Sequence, residues 1–86
     1  MEQDYETEAV VVIDGEEIDV YARFTVDHAA KQWVGVLDSD ETALRFKMVN
    51  GRRSVLRMPS GKEASIVPGP DAGGGAAFVG SGRPPV

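Results

Sequence analysis

Few residues of this 86-residue chain could do chemistry. The single histidine, His28, follows Asp27, and together they could supply a general base and its orienting carboxylate. Such a base also needs a nucleophile or a substrate pocket, and side chains adjacent in a strand or turn point apart. The pair therefore reads as part of a solvated loop. Asp38-Ser39-Asp40-Glu41 gathers oxygen ligands of the hardness calcium prefers, but it lacks the third oxygen ligand, the glycine and the distal glutamate of an EF-hand loop. A turn or helix cap is expected there. Gly73-Gly74-Gly75 and Gly80-Ser81-Gly82 have the composition of phosphate-cradling loops; neither leads into a helix or carries a lysine in the required place, and Pro84-Pro85 bars a helix. With no cysteine, a disulfide framework, a thiolate zinc site and a cysteine nucleophile are excluded. No catalytic, metal-binding or cofactor-binding residue is assigned, and no enzymatic activity is expected.

Charge is distributed more tellingly. From Met1 to Val20 there are eight acidic residues and no basic one, whereas from Ala43 to Lys62 there are six basic residues and no acidic one. Two consequences are open. Acidic strands can lie beside basic strands and neutralise one another across exposed pairs, each worth about 0.2–1 kcal/mol. Alternatively, copies can stack with the acidic end of one against the basic end of the next, because complementary patches steer assembly and fix orientation. Nucleic-acid binding by the basic segment is not expected, since no aromatics interleave with the arginines and the net charge is −5.

The elements that carry these charges read as strands. Glu17 to Val26 alternates without a fault, with Ile18, Val20, Ala22, Phe24 and Val26 on one face, and Asp14-Gly15 joins it to the β-branched run Ala9 to Ile13 as a hairpin. Trp33 to Leu37 is a third run, broken by Gly35 where a bulge or close approach is expected. Ala43 to Val49 alternates as a fourth, with Leu44, Phe46 and Met48 inward. A three-residue loop Val49-Asn50-Gly51, with Gly51 left-handed, turns it into a strand from Arg52 to Met58. Glu63 to Val67 follows the Pro59-Ser60-Gly61-Lys62 turn. The stretch from Asp71 to Gly75 has linker composition, and Ala76 to Val79 makes a closing strand. Asp27 to Gln32 and Asp38 to Thr42 could each cap a helical turn, but neither precedes a sustained helical stripe. The whole predicts an all-β fold, a small antiparallel barrel or sandwich of six to seven strands. Its parts are an acidic N-terminal arm over 1–8, the barrel over 9–79 and a Gly/Pro-rich C-terminal arm over 80–86.

Five motifs stand out: Tyr5-Glu6-Thr7-Glu8-Ala9, Val12-Ile13-Asp14-Gly15, Gln32-Trp33-Val34-Gly35, Met58-Pro59-Ser60-Gly61-Lys62 and the run Phe78 to Pro85 with its Gly-x-Gly-x-Pro-Pro ending. Together they resemble a group of small actinobacterial β-barrel domains of unknown function that are sometimes appended to flavin monooxygenases. Short phage proteins encoded among virion genes are similar in spacing. The chain departs from the barrel pattern before Trp33, at Gly73-Gly74-Gly75 and at Val86. Arg53 and Arg57 also resemble the paired arginines of cyclic-dinucleotide receptors, but the companion Asp-x-Ser-x-x-Gly strand is absent. The likeness implies a barrel with a closing strand at Phe78 and supplies no catalytic residues.

The expectation is a non-enzymatic structural or interaction protein, a barrel subunit that is homo-oligomeric or part of a multi-subunit particle. Its concrete form is a phage-type virion component, a head decoration or head-to-tail connector. Contacts are expected from Tyr5, Arg52, Arg53, Phe78, Arg83, Pro84 and Pro85, with Trp33 in the core. The alternative is an accessory barrel that binds a small ligand or associates with an oxidoreductase. No apolar run reaches the roughly 20 residues that cross a bilayer, and the acidic start is unlike a signal peptide, so virion or cytoplasm is the expected location. If the C-terminal segment 80–86 is an arm, its removal should leave the barrel folded and weaken assembly.

Overall fold

The computed structural model describes residues 2–70 and 75–86. The stretch 71–74, which covers most of the expected linker and of the 73–75 glycine loop, lies outside the described residues. Six antiparallel strands close a barrel: β1 (Glu2–Ile13), β2 (Glu16–Asp27), β3 (Gln32–Asp38), β4 (Ser54–Arg57), β5 (Glu63–Pro68) and β6 (Ala76–Ser81). Around the barrel they run β1-β2-β3-β6-β5-β4, so β4 returns past one end to pair with β1 in a Greek-key path. The expected small all-β antiparallel barrel is what the chain forms.

The β1–β2 hairpin follows from its sequence. Asp14 and Gly15 both sit at positive φ, 49° and 91°, as a two-residue type I′ turn requires. The register then runs unbroken from Ile13↔Glu16 to Glu2↔Asp27. Residues 2–8, expected as a separate acidic arm, are the outer half of β1 and are paired with β2 throughout. The alternation of β2 puts Ile18, Val20, Ala22, Phe24 and Val26 into the core. Tyr5 lies opposite Phe24 and stacks on it at 5.2 Å between ring centroids, while Trp33 and Phe78 meet Phe24 edge-on at 5.7 and 6.4 Å. Offset and edge-on pairs of this kind add about 0.5–1.5 kcal/mol each beyond the area they bury.

Residues 43–49 overturn their expected strand. Leu44 to Asn50 is a helix, α1, which carries the chain from β3 to β4. The alternation Leu44, Phe46, Met48 is equally an i, i+4 pair with an odd residue between, and leucine, arginine, lysine and methionine are all good helix formers. Leu44 and Met48 point into the barrel end at 3% exposure each, whereas Phe46, expected inward, is 69% exposed. Gly51 is extended rather than left-handed, with φ −74° and ψ 157°, because it ends a helix and not a hairpin loop. Glu41 starts the helix: its carboxylate accepts the Ala43 N–H at 3.0 Å and the Lys47 ammonium at 3.3 Å.

The ends of α1 are pinned electrostatically. The Ala43 backbone N–H, then Lys47, hold the Glu41 carboxyl below its ordinary 4.5, and Glu16, then Glu41, raise Lys47 above its ordinary 10.5. The Glu41 contribution is therefore present above the ordinary carboxylate value and lost as pH falls through its lowered one. The Lys47 contribution is present below 10.5 and lost as pH rises through its raised value. Urea midpoints of the wild type and Lys47→Met should stay separated at neutral pH and converge at both extremes; a separation independent of pH would refute this anchoring.

The closing residues belong to the barrel. Gly80 and Ser81, expected to begin an arm, are the last two residues of β6. The Trp33 indole lies flat against Gly80, where an added Cβ would come 1.8 Å from the ring. Its N–H donates to the Gly82 carbonyl at 3.2 Å. Pro85 is buried. Cutting at Gly80 would thus shorten a strand and uncover the tryptophan, so the truncation expected to leave the barrel folded removes part of it.

Candidate interaction surfaces

Part of the charge is neutralised within the sheet. Arg57 bridges Glu17 at 3.2 Å and Glu63 at 2.9 Å, Lys47 reaches Glu16 at 3.0 Å, and Arg23 holds Asp38 at 2.9 Å. The Asp14 carboxylate accepts backbone N–H groups of Arg52 and Arg53 at 3.1 and 3.2 Å, tying the hairpin tip to the approach to β4. Exposed pairs of this type are screened by solvent and contribute little to stability.

Of the charges left without an ion-pair partner among the described residues, two clusters stand apart, while Asp19, Asp40, Lys31, Arg45, Lys62 and Arg83 lie singly elsewhere. The side chains of Glu2, Asp4, Glu6 and Glu8 are exposed on the outer face of β1, and among the described residues none has a basic group within 4 Å. Asp4 takes the Thr25 hydroxyl at 2.7 Å. Along the same stretch β1 has β2 on one side only, because β4 pairs with Val10–Ile13 alone. Asp14 N–H donates to Arg53 O on the β4 side. Antiparallel alternation along the unbroken register then turns the N–H and C=O groups of Glu8, Glu6, Asp4 and Glu2 to the open side. The segment is a strand edge with a row of carboxylates beside it.

The opposite pole is basic. Arg52 and Arg53 are exposed there, and their guanidinium groups have no carboxylate within 4 Å among the described residues, although the Asp14 carboxylate is held at their backbone N–H groups. A twelve-residue strand spans roughly 36 Å, and the longest dimension of the molecule is 34 Å, so the acidic row runs from one end of β1 past its middle while the two arginines stand by its other end. The segment leading to Arg52 also presents Phe46 and Val49, 69% and 56% exposed. Across the barrel wall Val34, Val79 and Val67 form an outward cross-strand row, with Val34 and Val67 about half exposed.

The seven contact residues expected from the sequence separate into three places. Arg52 and Arg53 form the basic pole. Tyr5 is half-buried on Phe24, and Phe78 is 1% exposed in the core, so Phe78 offers no surface to a partner while the barrel is folded. Arg83 and Pro84 come beside the β2–β3 turn, Arg83 exposed and Pro84 half-buried, with Pro85 beneath the surface. Phe46 was missed because its alternation with Leu44 and Met48 read as one strand face; the helical spacing of Leu44 and Met48 was the available signal.

The two chemical clusters read from the sequence are occupied by structural bonds. Asp27 accepts the Ala29 and Ala30 N–H groups at 3.1 Å and so shapes the turn that carries His28. In the acidic cluster Asp38 faces Arg23, Glu41 faces Lys47, and the Ser39 hydroxyl donates to the Asp19 carbonyl at 3.0 Å. Among the described residues no helix is long and apolar enough to cross a membrane. No family model, curated protein or solved structure matches the chain.

Proposed function

We propose that the chain is a non-enzymatic interaction subunit that assembles with other protein subunits, its own copies first among them. The observation that carries this reading is the separation of two unpaired clusters of opposite charge along β1, Glu2 to Glu8 running from one end past the middle and Arg52 with Arg53 standing by the other end. Edge-to-edge pairing of two β1 strands would bring carboxylate rows together and is disfavoured. A heterologous contact, acidic end on basic end, joins unlike charges and repeats. Phe46 and Val49 give the basic end the apolar and aromatic anchors that binding energy concentrates on, with arginine beside them.

The likeness to small phage barrel proteins favours a virion component, a head decoration or head-to-tail connector, as the concrete form of this subunit, resident in the virion or the cytoplasm. Light scattering after size exclusion tests the reading. A mass above 9.2 kDa is expected at low salt. It should fall toward the monomer in about 1 M NaCl, where the Debye length is about 3 Å. Arg52→Gln with Arg53→Gln, and separately Phe46→Ser, should abolish the larger species while leaving the melting curve nearly unchanged, since exposed substitutions cost within about 0.5 kcal/mol. A 9.2 kDa species at every concentration and salt would refute it.

A further inference from the structure

At the barrel mouth away from α1, the β2–β3 turn and the C-terminal crossing face each other over a recess of about 350 Å³. This lies at the small end of the roughly 300–1,000 Å³ range of ligand sites. Its apolar surface is that of half-buried Pro84; Val26 borders the recess but is a core residue at 2% exposure. The rim carries His28 and Lys31 from the turn and Arg83 from the tail. Neither Lys31 nor Arg83 has a carboxylate within 4 Å among the described residues. Asp27 also lines the recess, with its Oδ1 engaged by the Ala29 and Ala30 N–H groups.

Both walls are held by specific bonds rather than left loose. The turn is fixed by the Asp27 bonds and by Lys31 in the left-handed region at φ 56°; the tail is fixed by the Trp33 indole on the Gly82 carbonyl and by Gly82 at φ 75°. Against the one carboxylate of Asp27, two permanent cations leave the rim with net positive charge in a chain of net charge −5. That balance suits a singly charged head better than a polyphosphate.

We infer that this recess binds a small amphiphilic carboxylate, its apolar body against Pro84 and its head between Lys31 and Arg83. The lining contains none of the residues that the assembly reading uses, although Glu2, at the acidic end of β1, pairs with Asp27 beside it.

An ¹⁵N-resolved titration of the full chain with hexanoate and with benzoate, each at millimolar concentration, tests it, with hexylamine at the same ionic strength as control. Saturable shifts are expected at residues 26–33 and 82–86, including the Trp33 indole N–H, for the carboxylates and not for the amine. Lys31→Gly removes one cation at a position whose backbone glycine adopts freely, so the fold should survive. It should weaken carboxylate binding about fivefold, as should Arg83→Gln. Absence of saturable shifts with either acid, equal shifts with hexylamine, or unchanged affinity in both variants would overturn the assignment.

Discussion

Gly80→Ala will cost the barrel a large share of its stability. The alanine Cβ would stand 1.8, 2.1 and 2.3 Å from three atoms of the Trp33 indole. The ring cannot retreat, because it is 1% exposed, meets Phe24 and Phe78 edge-on at 5.7 Å each, and is tied by its N–H to Gly82. Overpacking a core costs about 1–3 kcal/mol, and a clash this close, with no flexible atom to give, belongs at the upper end. Domains of this size are stable by about 4–13 kcal/mol, and each kcal/mol moves the melting temperature by about 4–8 °C. A fall of roughly 12–24 °C is therefore expected, read by circular dichroism and by the fluorescence of the single tryptophan. Gly82→Ala is the contrast: its Cβ meets nothing within 4 Å, so only its left-handed backbone at φ 75° resists, at about 1–2 kcal/mol. Equal melting of the two variants would contradict the close approach of Trp33.

Phe24→Ala should be comparably damaging for the opposite reason. Phe24 is the one aromatic ring that Tyr5, Trp33 and Phe78 all touch, and it is 3% exposed. Deleting a buried phenylalanine costs about 3–5 kcal/mol, the cavity included. Phe24→Leu, which keeps most of the volume, should lose less than half of that. The urea midpoint measures both effects. Hydrogen exchange adds a local reading: without the Phe24 ring, the β2-facing amides of Gln3, Tyr5 and Thr7 should lose protection before those of Val11 and Ile13, in the stretch that β4 also holds. Uniform loss along β1 would show that Tyr5 contributes nothing to pinning the outer ribbon.

Much of this architecture was legible because two local rules agree with the global fold. The period-two run from Ile18 to Val26 and the Asp14-Gly15 turn specify the same hairpin, and it forms in that register. At Leu44 to Met48 the rules divide, since alternation over five residues contains the spacing of a helix face, and local propensity together with the burial of Leu44 and Met48 decides for α1. The extent of β1 was underread because Glu2 to Glu8 lacks β-branched apolar residues; Tyr5 on Phe24 and the pairing to β2 keep it extended. The charged ends could be seen as blocks of sequence. Their separation to opposite poles could not, because it depends on Arg52 and Arg53 returning to the hairpin tip. The recess was hidden for a similar reason: residues 26–32 and 82–84 meet only through the course of the final crossing.

The tie between the hairpin tip and the Arg52–Arg53 backbone bears on the order of events during folding. The β1–β2 hairpin closes through a two-residue loop and costs little loop-closure entropy, so it can form within microseconds. Pairing β4 to β1 joins positions about half the chain apart. Non-local pairings of that kind slow collapse to the native topology. By capturing two successive amides from across that gap, the Asp14 carboxylate sets the register in which the β1–β4 seam zips. Asp14→Asn should therefore slow refolding more than it hastens unfolding, placing this residue inside the folding nucleus.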